Sequence, residues 1–202
     1  MKVITWNVRG MYKLYKQKEL REFIKENKAS VIAIIEHRVK EYKKGQVVHK
    51  IAPTWEWFSN TSPNNKGRIW LIWDPKYAAV KKISTHNQYI QAAISFSNTA
   101  LTFYFTVIYG LHTVHDRKEL WRKLREIEIR QQEPWLVMGD FNAILEVEDK
   151  VHGNMVQDHE IRDFREFLKD TGMTELQAIG RPFTWTNSHV FSKIDRALVN
   201  GE

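Results

Sequence analysis

The residues best suited to chemistry stand at the ends of strand-like runs. Polar groups placed there converge on a cleft without entering a core. Asn7 follows Trp6 near the end of the run Val3 to Val8, and its amide suits either a turn, a carboxylate partner or a hard cation. Glu36 ends Val31-Ile32-Ala33-Ile34-Ile35, so its carboxylate is carried to a sheet rim or simply solvated there. Mg²⁺ keeps several waters and needs only one or two such carboxylates. Gly139-Asp140-Phe141-Asn142 follows the apolar Leu136-Val137-Met138. Residues two apart in extended chain share a face. Asp140 can therefore serve as a proton acceptor beside Asn142 as an oxyanion donor, with an Asx-rich turn as the alternative. Asp195 lies between Ile194 and Arg196. It suits holding an imidazole in one tautomer, or an ion pair with Arg196 or another cation. Tyr109 ends the Phe103 to Ile108 run, and its phenol can bond a phosphate oxygen or pack. The eight histidines lack zinc-type spacing and read as surface residues.

The elements that must position these groups follow from periodicity. Val3 to Val8 is β-branched and aromatic, hence a strand. Lys13 to Asn27 reads as a helix, with Leu20, Phe23 and Ile24 on one stripe. Val31 to Ile35 is apolar throughout, which suits a strand covered on both faces. Strands are predicted at Trp55 to Ser59, Arg68 to Trp73, Val80 to Ser84, Ile90 to Phe96 and Leu101 to Tyr109, arranged as antiparallel meanders. Pro63-Asn64-Asn65-Lys66-Gly67 is turn material among them. A helix is predicted from Asp116 to Gln131, a buried strand at Trp135 to Met138, and a helix from Asp158 to Asp170 capped by Gly172. Strands follow near Phe183 to Trp185 and Ile194 to Val199. No repeat or long linker divides the chain, so 1–202 is read as a single domain of stacked sheets covered by helices.

Composition sets the bounds. With 43% hydrophobic and 27% charged residues, the chain is a globular rather than a disordered type. The absence of cysteine removes disulfides and thiolate metal sites, and fits a reducing compartment. No apolar run reaches the ~18 residues of a membrane helix, and the first residues lack the pattern of a signal peptide. A net charge of +7 favours polyanions as partners, although a merely basic surface would look the same.

The order of the motifs is more specific than any one of them. Trp6-Asn7-Val8-Arg9-Gly10, Glu36, Tyr109-Gly110, Gly139-Asp140-Phe141-Asn142, Phe183-Thr184-Trp185-Thr186-Asn187 and Ile194-Asp195-Arg196-Ala197-Leu198 together resemble the endonuclease/exonuclease/phosphatase (deoxyribonuclease I-like) superfamily along nearly the whole chain. The first, fifth and sixth are similar to the endonuclease domain of plant LINE-type non-LTR retrotransposons. The resemblance implies an α/β four-layer sandwich: two packed mixed sheets flanked by helices. It implies Mg²⁺ as cofactor, with Mn²⁺ as a substitute, held by Glu36 with Asn7. Asp140 would orient or deprotonate the attacking water, Asn142 and Tyr109 would contact the scissile phosphate, and Asp195 would orient a histidine. Thr184, Arg9 and His112 would contact substrate. The implied partner is DNA, not a membrane, with a reverse transcriptase domain in a parent polyprotein and a nuclear location.

One departure is large. The family closes with a strand carrying Ser-Asp-His, and this sequence holds no such triplet. Should the chain be complete, Asp195 lacks its imidazole and Glu36 its companion, and a rate loss of several powers of ten is expected. Two smaller departures are His37-Arg38, where Thr-Lys is usual, and His112, where asparagine often sits. The leading reading is a Mg²⁺-dependent DNA-nicking enzyme. Its rivals are a phosphatase or lipid phosphodiesterase on the same fold, and an inactive remnant that binds nucleic acid weakly.

Overall fold

The computed structural model describes residues 2–63, 66–128 and 133–201. The chain divides into two compact units, Met1–Val107 and Ile108–Glu202.

The first unit runs β1 (Val3–Asn7), α1 (Leu14–Asn27), β2 (Val31–Ile35), α2 (Lys44–Ile51), β3 (Glu56–Ser59), β4 (Ile69–Trp73), β5 (Ala78–His86), β6 (Tyr89–Phe96) and β7 (Thr102–Tyr109), whose end passes the boundary. A four-stranded sheet has the order β1-β2-β4-β3. Its β1–β2 pair is parallel and the other pairs are antiparallel. All five residues of β2 are fully buried, as its unbroken apolar run requires. Ile32 and Ile34 face α1 and α2, where Leu20, Ile24, Val48 and Ile51 meet them together with Trp70. Each such side chain contributes about 1.5–3 kcal/mol by leaving water. Alternation sends Ala33 and Ile35 to the other side of the sheet. β4 also contacts β5 and β6, which form an antiparallel pair. Helix α1 stops at Lys28, whose left-handed backbone (φ 51°) turns its N–H back onto the last carbonyls.

The second unit contains α3 (Val114–Glu128), β8 (Trp135–Asp140), β9 (Lys150–Val151), α4 (Asp158–Thr171), β10 (Thr174–Glu175), β11 (Trp185–Thr186), β12 (Phe191–Ser192) and β13 (Asp195–Val199). Strands β10, β13 and β8 are antiparallel neighbours in that order, and β11-β12-β9 forms a small antiparallel sheet. Helices α3 and α4 pack on each other through Trp121, which stacks on Phe164 at 4.6 Å between ring centroids. Phe141 stacks on Phe164 at 5.1 Å and is fully buried. Gln157 and Glu160 form a reciprocal capping box at the start of α4, and Gly172 (φ 63°) ends it.

Sheets flanked by helices give the α/β class that the sequence predicts. The predicted strands and helices are present with small changes of boundary. The part of the third helix expected out to Gln131 lies outside the described residues, as do Asn64 and Asn65 of the predicted turn. Helix α2 and the two-residue strands β9, β10 and β12 were not anticipated.

Candidate functional site

In the first unit, the parallel pairing sets Asn7 opposite Ile35, so Asn7 and Glu36 leave the carboxyl ends of adjacent strands. The two following loops stay zipped. Val8 N–H donates to the Ile35 carbonyl at 3.1 Å, Gly10 N–H to that of Glu36 at 2.8 Å, and Met11 N–H to that of His37 at 2.9 Å. Asn7 Oδ1 accepts the Arg9 N–H at 3.1 Å, which makes it a turn residue as well. Glu36 is buried, and its carboxylate is paired with the exposed guanidinium of Arg38. Arg9, Glu36 and Arg38 all hold left-handed backbone, with φ of 47°, 57° and 55°. Non-glycine residues adopt this conformation at a cost, and it gathers at functional positions.

In the second unit, β13 sets Asp195 directly opposite Asp140. Like charges so opposed are destabilising on their own. Asp140 Oδ1 accepts the Asn142 N–H at 2.9 Å, and Phe141 N–H donates to the Ile194 carbonyl at 2.9 Å. The Asn142 side-chain amide donates to the Gly110 carbonyl at 2.7 Å, while Gly110 N–H donates to the Asp140 carbonyl at 2.8 Å. This exchange is possible because residue 110 has no side chain: a Cβ would stand 2.2 Å from the Phe141 carbonyl oxygen. Gly139 is constrained in the same way by the Ile108 carbonyl oxygen, also at 2.2 Å. Tyr109 is buried and meets the exposed His112 ring edge-on at 6.4 Å. Thr184 Oγ1 accepts the N–H groups of Ile194 and Asp195 at 3.1 and 3.0 Å, fixing the start of β13.

The structure therefore brings Asn7, Arg9 and Glu36 together in one unit. In the other it gathers Tyr109, His112, Asp140, Asn142, Thr184 and Asp195. Two sequence readings are corrected. His37 is not a surface residue: it is fully buried, stacked on Trp70 at 4.2 Å, and accepts the Val39 N–H at Nδ1. Burial, then the nearby Lys44 and Arg68 charges, pushes its pKa down to about 3. Arg196 does not serve Asp195, because its buried guanidinium pairs with Asp149 and Glu175 instead. One positioning residue was missed. Arg117, buried on α3, donates to the Leu111 and His112 carbonyls at 2.8 Å each and so holds the segment after Tyr109. Desolvation lowers its pKa, against the raising influence of Asp163, Glu160 and Asp140.

The model of the endonuclease/exonuclease/phosphatase family matches residues 4–202. The chain belongs to this family. Its members include nucleases and phosphatases, which hydrolyse phosphate esters. A search of curated proteins by sequence returns no match. Among solved structures, the family member is similar to the endonuclease domain of TRAS1, a telomere-specific non-LTR retrotransposon. That likeness has a TM-score of 0.74 at 15% identity, over 97% of this chain and 82% of the other. It is similar to the AP endonuclease LMAP of Leishmania major, with a TM-score of 0.77 at 14% identity, over 98% and 78%. It is similar also to the 3′ phosphatase NExo of Neisseria bound to product DNA hairpin, with a TM-score of 0.69 at 15% identity, over 98% and 86%. These likenesses show the deoxyribonuclease I-like fold.

Divalent metals are typical of the family. The donors around Glu36 are one buried carboxylate and one amide oxygen. No cluster of three or more His, Cys, Asp or Glu suited to a metal occurs among the described residues. One carboxylate and one amide oxygen suit Mg²⁺ that retains much of its hydration. Arg38 competes for the same carboxylate.

Proposed function

We propose that this family member hydrolyses phosphodiester bonds in DNA, nicking one strand with Mg²⁺, as the endonuclease module of a retroelement. The reading rests above all on the pinned amide of Asn142. Its Nδ2 gives one hydrogen to the Gly110 carbonyl, which aims the second as a fixed donor. Donors held in place before reaction stabilise developing charge without reorganisation. In this reading Asn142 and Tyr109 bind non-bridging phosphate oxygens. Asp140 accepts the proton of the attacking water, and Asp195, paired opposite it, would orient the imidazole that the family carries on its closing Ser-Asp-His strand. Glu36 and Asn7 hold the Mg²⁺, which would neutralise phosphate charge when bound. Arg9, His112 and Thr184 contact the strand. A basic chain with DNA as its partner, encoded beside a reverse transcriptase and working in the nucleus, is the setting this implies.

The test is conversion of supercoiled plasmid to open circle with Mg²⁺, against EDTA and against Asp140→Asn and Glu36→Gln. Nicking that needs Mg²⁺ and is lost in both variants supports the reading. No nicking by the wild-type chain removes it. A second reading is favoured by the likeness to a 3′ phosphatase: release of phosphate from a 3′-phosphorylated oligonucleotide, with plasmid untouched, would establish it.

A further inference from the structure

The first unit carries a groove of about 810 Å³ whose lining includes Tyr12, Tyr42, Arg38, Lys40, Lys66 and Arg68. We propose that it binds a single-stranded stretch of nucleic acid, with unpaired bases stacked on Tyr12 and Tyr42 and phosphates on the four cations. This rests on nucleic acid being the substrate, and specifies the form in which it is held.

Single exposed aromatics need no explanation. Here two tyrosines, 52% and 70% exposed, line the same groove as four cations. Glu41 also lines it, but its carboxylate is taken by Lys44 at 2.6 Å. A cationic groove interleaved with aromatic faces is the arrangement that holds single strands without sequence preference. A paired duplex keeps its base faces stacked on each other, and a tyrosine cannot reach them.

The groove is built rather than incidental. Lys44, whose side chain is 1% exposed, donates to Thr61 Oγ1 and to the Lys66 carbonyl at 3.4 Å, anchoring the wall that carries Lys66. Gly67 holds φ +61°, and a Cβ there would stand 2.6 Å from Thr61 Oγ1. Arg38 lines the groove and also pairs with Glu36.

The experiment is equilibrium binding in EDTA, so that cleavage plays no part. A labelled oligothymidylate and its duplex are followed by anisotropy, and an oligonucleotide containing 2-aminopurine reports stacking by quenching. Tyr12→Ala and Tyr42→Ala are each expected to weaken single-strand binding about tenfold and to reduce quenching, with duplex binding changed less than about twofold. Tyr12→Phe and Tyr42→Phe should retain both signals. Unchanged single-strand affinity in the double alanine variant would overturn the proposal, as would equal losses for single strand and duplex. Both rings are exposed and support no core, and a melting curve for each variant checks that it folds. A chain that binds and quenches yet never nicks plasmid would refute the catalytic reading while supporting the groove.

Discussion

Replacing Arg196 with Met should strip the second unit of its most buried charge pair. The guanidinium is 1% exposed and bonds Asp149, Glu175 at 2.5 Å and the Lys193 carbonyl at 3.3 Å, over the face of Phe164 at 5.7 Å. Removing one partner of a buried ion pair costs about 3–5 kcal/mol, because a charge is stranded. Two observations place this case at the lower end. Asp149 Oδ2 also accepts the N–H groups of Leu145 and Glu146 at 2.8 Å, and Glu175 keeps Lys193 at 2.7 Å. The aliphatic stem of Met preserves most of the packing. A loss of about 3 kcal/mol follows, a large part of the 5–15 kcal/mol available to a domain. The assay is urea unfolding of the wild type, Arg196→Met, Asp149→Asn and the double variant. The double-variant cycle should give a coupling of about 1.5–3 kcal/mol between the two positions. A coupling below about 0.5 kcal/mol would refute the claim that this pair, rather than general packing, ties β13 to the segment before β9.

Other outcomes follow from the same geometry. His37 is held neutral with its pKa near 3, while an unfolded histidine takes a proton near 6.5. Its contribution is thus complete above about pH 6.5 and is lost as pH falls, at about 1.4 kcal/mol per unit, or about 2 kcal/mol at pH 5. Urea unfolding at pH 7.5 and pH 5 should show that extra loss in the wild type and not in His37→Phe. Gly110→Ala should leave the chain able to fold but displace the Phe141 segment, lowering nicking more than it lowers the melting temperature. Asn142→Ala should reduce the nicking rate by about 10²–10³ with little change in DNA affinity, as for loss of a fixed oxyanion donor. Equal loss of affinity would instead make Asn142 a binding group.

Much of this was legible wherever one physical signal dominated. Strand β2 is apolar at every position and buried at every position. Asp140 and Asn142 stood out as candidates because they lie two apart after an apolar run, and Phe141 between them is fully buried. Helix α2 was missed although Val47, Val48 and Ile51 have helical spacing and Pro53 follows. Eight residues bearing Gly45 give too weak a pattern. Strands of two residues carry no periodicity at all. His37 looked exposed between Glu36 and Arg38. What covers it is Trp70, thirty-three positions away in sequence and brought close by the pairing of Ile34 with Trp70. Thr184 was legible as a candidate through its motif, but its acceptance of two backbone N–H groups depends on tertiary pairing. The same holds for the choice of Asp149 and Glu175 by Arg196.

The left-handed residues at Arg9, Glu36, Arg38 and Asn142 have an evolutionary consequence. Glycine would relax the backbone at each of them, by about 1 kcal/mol where a Cβ is strained, so a library screened for heat resistance should accumulate glycine there. On the proposed function, variants that win such a screen would be sturdier but slower to cut. A screen for cutting would drive the same codons back.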